Sequence, residues 1–331
     1  MKKETKLIII VVLVIILIGL LFIVFKSGIL SNKEKNNLNE NNVIKKEDIN
    51  LNNYTTNINL TEGGEYNITG SFNYSLIINT TEKVILNLNN VTINSKVIAA
   101  IANINSGELI INLPKGTTNT LKDSGTNEYD GCIYSLGKLT IDGLGKLNVY
   151  GNQRDGEGIT TKNKDITIND GEIYIESTDD GLNAGGTDGG VITINGGNIY
   201  INANGDGIDS NKDLIINGGT MYVMGSVKKG DSGIDTDGLF EINGGNIIIL
   251  GYDMLENPKN SSKQKYMSFT LNLKIIKDSK ISLKNSKGKE VFTFSADKDF
   301  RTLIVSNSNF KKGTYYLYIN GEKTEYSSTI N

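Results

Sequence analysis

From Cys132 to Gly251 the chain alternates apolar and polar residues in bursts of three to five positions, and the bursts recur. Aligned on the apolar residue that follows each small one, Ile133, Ile159, Leu182, Ile208 and Ile234 form a column spaced by 26, 23, 26 and 26 residues. A second burst runs into a turn each time: LTIDGLG from Leu139, ITINDG from Ile166, ITINGG from Ile192, LIINGG from Leu214 and FEINGG from Phe240. A third burst follows as LNV, IYI, IYI, MYV and III. Alternation with period two over so few residues describes strands that bury one face and are too short to stand alone. Repeated at a fixed period they stack coil on coil, which predicts a parallel β-helix with an apolar interior. Leucine-rich repeats would need a regular leucine pattern, a nine-residue calcium β-roll has the wrong period, and a propeller blade needs longer strands.

Upstream, YNITGSF, SLIIN, VILNLNNVTI and ELIINL read as earlier coils with a blurred period, as expected of a cap. Downstream of Asp253 the repeat stops, and TLNLKII, KISLKN, VFTFS, TLIVS and TYYLYING predict a small antiparallel β module over 253–331. At the other end, Leu7 to Phe25 is apolar throughout and follows Lys2, Lys3 and Lys6. At about 1.5 Å per residue it reaches roughly 28 Å, close to the hydrocarbon thickness of a bilayer. No small-x-small cleavage site follows it, so it is expected to remain as a transmembrane anchor that exports what comes after. The expected organisation is a cytoplasmic tail at 1–6, the anchor at 7–25, a disordered Asn-, Lys- and Glu-rich tether at 26–53 and a β-helix at 54–252.

Composition narrows the chemistry. The 331 residues include 37 Gly and only 2 Pro, which suits many strands and tight turns. With no histidine and a single cysteine, Cys132, an intrachain disulfide, a Cys/His metal site and an imidazole-based triad are all excluded. Any metal must be a hard cation held by oxygen. The net charge of −3 hides a segment, Asp123 to Gly251, that holds 20 acidic against 8 basic residues. Such a surface draws cations and repels nucleic acid.

Three columns stand out within the coils. Asn169, Asn195, Asn217 and Asn243, with Asp142 before them, share one turn and are placed to hydrogen-bond along the stack as a structural ladder. Acids gather around the first strand: Glu157, Asp180 and Asp206 precede it, and Asp209 and Asp235 lie on it. Carboxylates stacked about 5 Å apart repel by roughly 3 kcal/mol at an effective dielectric of 20, so they either splay into solvent or share a cation. Calcium suits the second alternative, with Asp179, Asp180, Asp206, Asp209, Asp231, Asp235 and Asp237 as candidate ligands and Gly181, Gly207 and Gly233 letting backbone carbonyls approach. Finally, Tyr174, Tyr200 and Tyr222 occupy the outward position of successive third strands. They form either an aromatic strip for sugar rings or a column that stabilises coil stacking.

Several of these segments resemble a known family, the extracellular calcium-binding, carbohydrate-binding β-helix proteins of Gram-positive bacteria. The resemblance rests on Gly64 to Gly70 (GEYNITG), VILNLNNVTI, Lys115 to Asp123 (KGTTNTLKD) and coils such as Gly205 to Val223, and covers about Glu62 to Gly251. It implies a right-handed β-helix with bound Ca2+ that binds acidic plant polysaccharide such as polygalacturonate, or cellulose, and a shape similar to pectate-degrading lyases without established lyase activity across the family. The early coils depart from it in lacking DGI, and one coil reads Asp231-Ser232-Gly233-Ile234. The fold class expected is thus all-β: a right-handed parallel β-helix with an N-terminal transmembrane helix and a small C-terminal antiparallel β module. The function expected is calcium-dependent polysaccharide binding at the outer face of a cell membrane. Two alternatives stay open. One is a pectate-type lyase, for which Arg154, beside Glu157, Lys162 and Lys164, is the candidate base. The other is a surface adhesin or spacer.

Overall fold

The computed structural model describes residues 46–96, 98–124, 129–152 and 156–330. The expected tail, the anchor at 7–25 and Arg154 lie outside the described residues. Among the described residues no helix is long and apolar enough to cross a membrane.

The described chain is a parallel β-solenoid. Each coil gives one short strand to an eight-stranded sheet and, further along, strands to a seventeen-stranded sheet. In one coil, for example, Ile159–Lys162 joins the first, while Ile166–Ile168 and Glu172–Ser177 join the second. The alternation seen in the sequence sets the register. Ile133, Ile159, Leu182, Ile208 and Ile234 pair coil to coil in the eight-stranded sheet. Leu139, Ile166, Ile192, Leu214 and Phe240 do so in the larger one. All ten point inward and are buried, so each coil lays a layer of branched side chains on the layer below. Truncating one of these isoleucines to alanine costs about 2–5 kcal/mol in comparable cores.

The turns explain the glycines. In the Asn-Gly-Gly turns the second glycine has positive φ, 89° at Gly197, 88° at Gly219 and 105° at Gly245. Each also packs against the previous coil, where a Cβ would meet the Gly171, Gly197 or Gly219 carbonyl oxygen at 2.8, 2.7 and 2.8 Å.

The solenoid begins earlier than the sequence pattern suggested. Lys46–Asn50, within the stretch read as tether, pairs in parallel with Glu65–Thr69, and Ile49 and Leu51 are buried beneath it. At the far end the stacking direction changes. Phe300–Ser306 runs antiparallel along Asn246–Gly251, and Tyr266–Ile275 pairs antiparallel with it in turn. The strands Lys280–Asn285, Glu290–Ser295, Gly313–Ile319 and Glu322–Ile330 form a separate four-stranded antiparallel sheet. A second apolar core joins Met224 and Leu250 of the coils to Phe269, Phe300, Leu303 and Leu317. The last strand of the eight-stranded sheet, Ile234–Thr236, is covered by Glu256, whose carboxylate accepts from the Thr236 N–H at 3.0 Å and its hydroxyl at 2.9 Å.

Candidate functional site

Two outward faces of the solenoid carry chemistry. On the eight-stranded sheet Thr160, Asn183, Asp209 and Asp235 stand in register on successive strands. In the turn before these strands, the Asp180 carboxylate accepts from the Asp206 N–H at 2.7 Å, and the Asp206 carboxylate accepts from the Ser232 N–H. The acids are thus built into the coil spacing. The Asn183 amide donates to Glu157 Oε1 at 2.6 Å and to Asp180 Oδ2 at 3.1 Å. Glu157 is only 6% exposed, and its Oε2, like Asn183 Oδ1, is buried with no hydrogen-bond partner.

This crowding is costly for ionised groups. Burial, with Asp179, Asp206 and Asp209 adding their charge, pushes Asp180 up to about 8. Burial and the neighbouring Asp235, Asp231 and Asp209 take Asp206 to about 7, and burial with Asp235, Asp237 and Asp179 takes Asp209 to about 6. Glu157 is held well above the usual carboxylate range, chiefly by burial. Asp231 and Asp235 are half-buried, and Asp237 is exposed. Among the described residues no three acidic side chains converge as a ready ligand set for a metal ion. The donor chemistry nevertheless suits calcium, since two orphaned buried oxygens sit among hard carboxylates. Glu157, Asn183 and Asp180 are the residues that would hold it.

The glycines of this turn have another task. The carbonyls of Gly181, Gly207 and Gly233 accept the N–H groups of Ile159, Leu182 and Ile208. A Cβ on Gly181 or Gly207 would lie 2.5 Å from the next glycine's carbonyl oxygen. They are there because coils stack through them.

The second face lies on the larger sheet. Tyr174, Tyr200 and Tyr222 are in register on Glu172–Ser177, Asn198–Ala203 and Thr220–Met224. The Tyr174 and Tyr200 rings stack at 5.1 Å with 10° between planes, and Tyr200 and Tyr222 tilt at 5.5 Å. Beside them opens a cavity of about 490 Å³, with Asn148, Asn198 and Thr220 among its polar residues and Ile173 and Ile199 among its apolar ones. Lys146 and Glu172 on its rim form an ion pair at 2.5 Å. The strip is not fully open. Phe294 packs edge-on against Tyr222, whose hydroxyl donates to the Ser295 carbonyl at 3.3 Å and accepts from the Asp297 N–H at 2.9 Å. The Tyr200 hydroxyl donates to Asp297 at 3.4 Å, and that of Tyr174 to Glu176 at 2.9 Å. These contacts hold the rings in fixed orientation. Period-two reading from Tyr174 marks Glu176 as its neighbour on the same face, but the contacts of Ser295 and Asp297 span 73 to 97 residues and leave no periodic trace.

The asparagine turn is a ladder. Asn195, Asn217 and Asn243 each donate to the preceding asparagine at 2.9, 2.9 and 3.1 Å, and Asn169 to Asp142 at 3.3 Å. A separate run links Asn112, Asn87, Asn67 and Asp48 at 2.7, 2.8 and 2.7 Å.

A family described as carbohydrate-binding domain-containing protein matches residues 54–320. Among curated proteins none matches. Among solved structures, the chain is similar to a polysaccharide lyase-like protein from C. thermocellum, determined as a gadolinium derivative. The two share 25% identity at a TM-score of 0.48, over 57% of this chain and 90% of that one. With the match running from the first coils through most of the C-terminal strands, the chain belongs to the family of carbohydrate-binding domain-containing proteins.

Proposed function

We propose that the protein binds a polysaccharide without cleaving it, seating the glycan in the tyrosine-floored groove of the larger sheet. The observation that carries this is the cavity of about 490 Å³ beside three aligned tyrosines whose rings are held by hydrogen bonds. Pyranose rings offer a C–H face to an aromatic ring and hydroxyls to the flanking Asn148, Asn198 and Thr220. Among the described residues the lysine that lines the groove, Lys146, is paired with Glu172 at 2.5 Å, which favours binding over base catalysis there.

Calcium adds a second recognition element on the acidic face. Glu157, Asn183 and Asp180, and further along carboxylates such as Asp206, Asp209 and Asp235, would hold the ion, which would offset their repulsion and supply positive charge to a uronate ligand. Asp179, Asp231 and Asp237 complete the acidic surroundings of that face. The orphaned oxygens of Glu157 and Asn183 support this reading. In the same reading the solenoid winds to the right and the apolar run from Leu7 to Phe25 anchors it in a membrane, displaying it outside the cell, where calcium is plentiful.

A glycan array probed with the soluble part, with calcium and with EDTA, tests both elements. The expected result is calcium-independent binding to one group of glycans and calcium-dependent binding to acidic ones. Binding to no glycan in either condition would contradict the assignment. Incubation with polygalacturonate should give no unsaturated products.

A further inference from the structure

The column that carries the asparagine ladder runs on into the first coils and changes character there. Asp142 is in register with Asn112, and Asn112, Asn87, Asn67 and Asp48 stand in register on successive strands. In the later coils Asn169, Asn195, Asn217 and Asn243 lie just past strands of three residues. Asn67 and Asn87 instead sit inside the long strands Gly64–Phe72 and Val84–Asn94, and Asn112 inside Leu109–Leu113. A strand that continues past this point keeps its alternation, so residues two places on face the same way. Asn50, Thr69 and Asn89 therefore form a second column beside the first, again in register. A β-bulge then bends the strands, with φ at 83° in Gly70 and 56° in Asn90.

A cavity of about 640 Å³ opens over the two columns, lined by both of them together with Asn53 and Pro114. Its polar groups are only partly spent on the protein. Asn87 gives away both amide hydrogens, to Asn67 at 2.8 Å and to Glu65 at 2.9 Å. Asn67 and Asn112 each give one, to Asp48 and to Asn87 at 2.7 Å, and keep a second. The half-buried Thr69 hydroxyl bonds to none of the described residues. Glu65 is paired with Lys46 at 2.9 Å. Every amide of this run donates toward Asp48, so the ladder fixes the direction in which the remaining donors and acceptors point.

We propose that this cavity is a second glycan-binding site, which grips a hydroxyl-rich chain by its diols rather than by ring stacking. The proposal rests on the reading of the protein as a glycan binder and not on the tyrosine groove. Two neighbouring sugar hydroxyls present a donor and an acceptor, the complement of one side-chain amide. Asn67 and Asn112 supply donors, Asp48 accepts, and Thr69 and Asn89 meet the other edge of the chain. Because the amides are already oriented, little ordering is lost when a sugar binds. Four rungs about 4.8 Å apart give the site a length of roughly 14 Å along the stack, room for a short run of sugar rings. Asp48, Asn50 and Asn53 come from the stretch whose composition reads as tether, so the docking of Lys46–Asn50 on Glu65–Thr69 completes the site.

The test uses the full chain, kept in solution by a detergent without sugar headgroups and titrated with cellohexaose, xylohexaose and mannohexaose up to about 10 mM. A Tyr174→Ala protein should still bind at least one of them. Adding Thr69→Val and Asn89→Ala, both outside the ladder, should weaken that remaining binding about fivefold or more. A second measurement locates the sugar without altering the site: in the Tyr174→Ala protein the bound oligosaccharide should slow amide hydrogen exchange over residues 46–53 severalfold. Failure of Tyr174→Ala to bind any of the three would overturn the second site, while binding by the unmodified protein would then leave the tyrosine groove standing. Remaining binding that leaves either the exchange over 46–53 or the response to the two substitutions unchanged would overturn it as well. Binding that ignores Tyr174→Ala yet falls with Thr69→Val and Asn89→Ala would uphold this site and remove the groove.

Discussion

A methyl group on Gly207 would sit 2.5 Å from the carbonyl oxygen of Gly233 in the next coil, closer than any real contact. The consequence is a residue that tolerates no side chain although it lies beside the acids. Gly207→Ala should destabilise the solenoid by about 1–3 kcal/mol, read as a shift in the denaturant midpoint at unchanged slope. Tyr174 shows the opposite balance. Its ring is half-buried and it lies away from the Asp297 loop, so its loss should leave the fold intact while weakening glycan binding about fivefold, measured by titration calorimetry. Tyr200 and Tyr222 have a pH signature. Their folded hydroxyls titrate near 12, above the ordinary value near 10, so the unfolded chain releases these protons first. Their contribution is therefore fully present below about pH 10 and lost as pH rises through about 12. Thermal melts across that range should show falling stability, and Tyr200→Phe with Tyr222→Phe should flatten the fall.

At the scale of strands and turns, the asparagine ladder is the simplest element to perturb. Asn195 both donates to Asn169 and accepts from Asn217, each at 2.9 Å. Asn195→Ala breaks both links at an exposed turn and should cost about 1 kcal/mol by chemical denaturation. This ladder and the inward isoleucine columns were legible in the sequence, because a period of 22 to 26 residues writes each column directly into the spacing. The register of Ile159 on Leu182 and of Asn169 beneath Asn195 follows from the same count. What the spacing does not record is how the chain ends. Residues Phe300–Ser306 cap the last coil in the antiparallel sense, and Ser295 and Asp297 settle on tyrosines 73 to 97 residues earlier. Those contacts depend on a second apolar core formed with Met224 and Leu250, outward-facing residues of the last coils. Part of the candidate site was legible for the same reason. The acidic and tyrosine columns were visible as columns. The orphaned oxygen of Glu157, the carbonyl duty of Gly181, Gly207 and Gly233, and the closure over Tyr222 required the three-dimensional contacts.

At the scale of the whole molecule, a rigid stack displays two chemically different faces along one axis. The acidic face concentrates charge at a cost, with Asp180, Asp206 and Asp209 all raised by burial first and then by one another and their acidic neighbours. Calcium should therefore raise the melting temperature at neutral pH, and EDTA should lower it, with Asp180→Asn blunting the difference. The tyrosine face defines the central claim, and affinity electrophoresis through gels that contain soluble polysaccharides, neutral and acidic, tests it most directly. The account predicts that the protein from residue 26 onward is retarded in at least one such gel and that Tyr174→Ala, equally well folded, is retarded clearly less in that gel. Equal retardation of both proteins, or none of either in any gel, would contradict it.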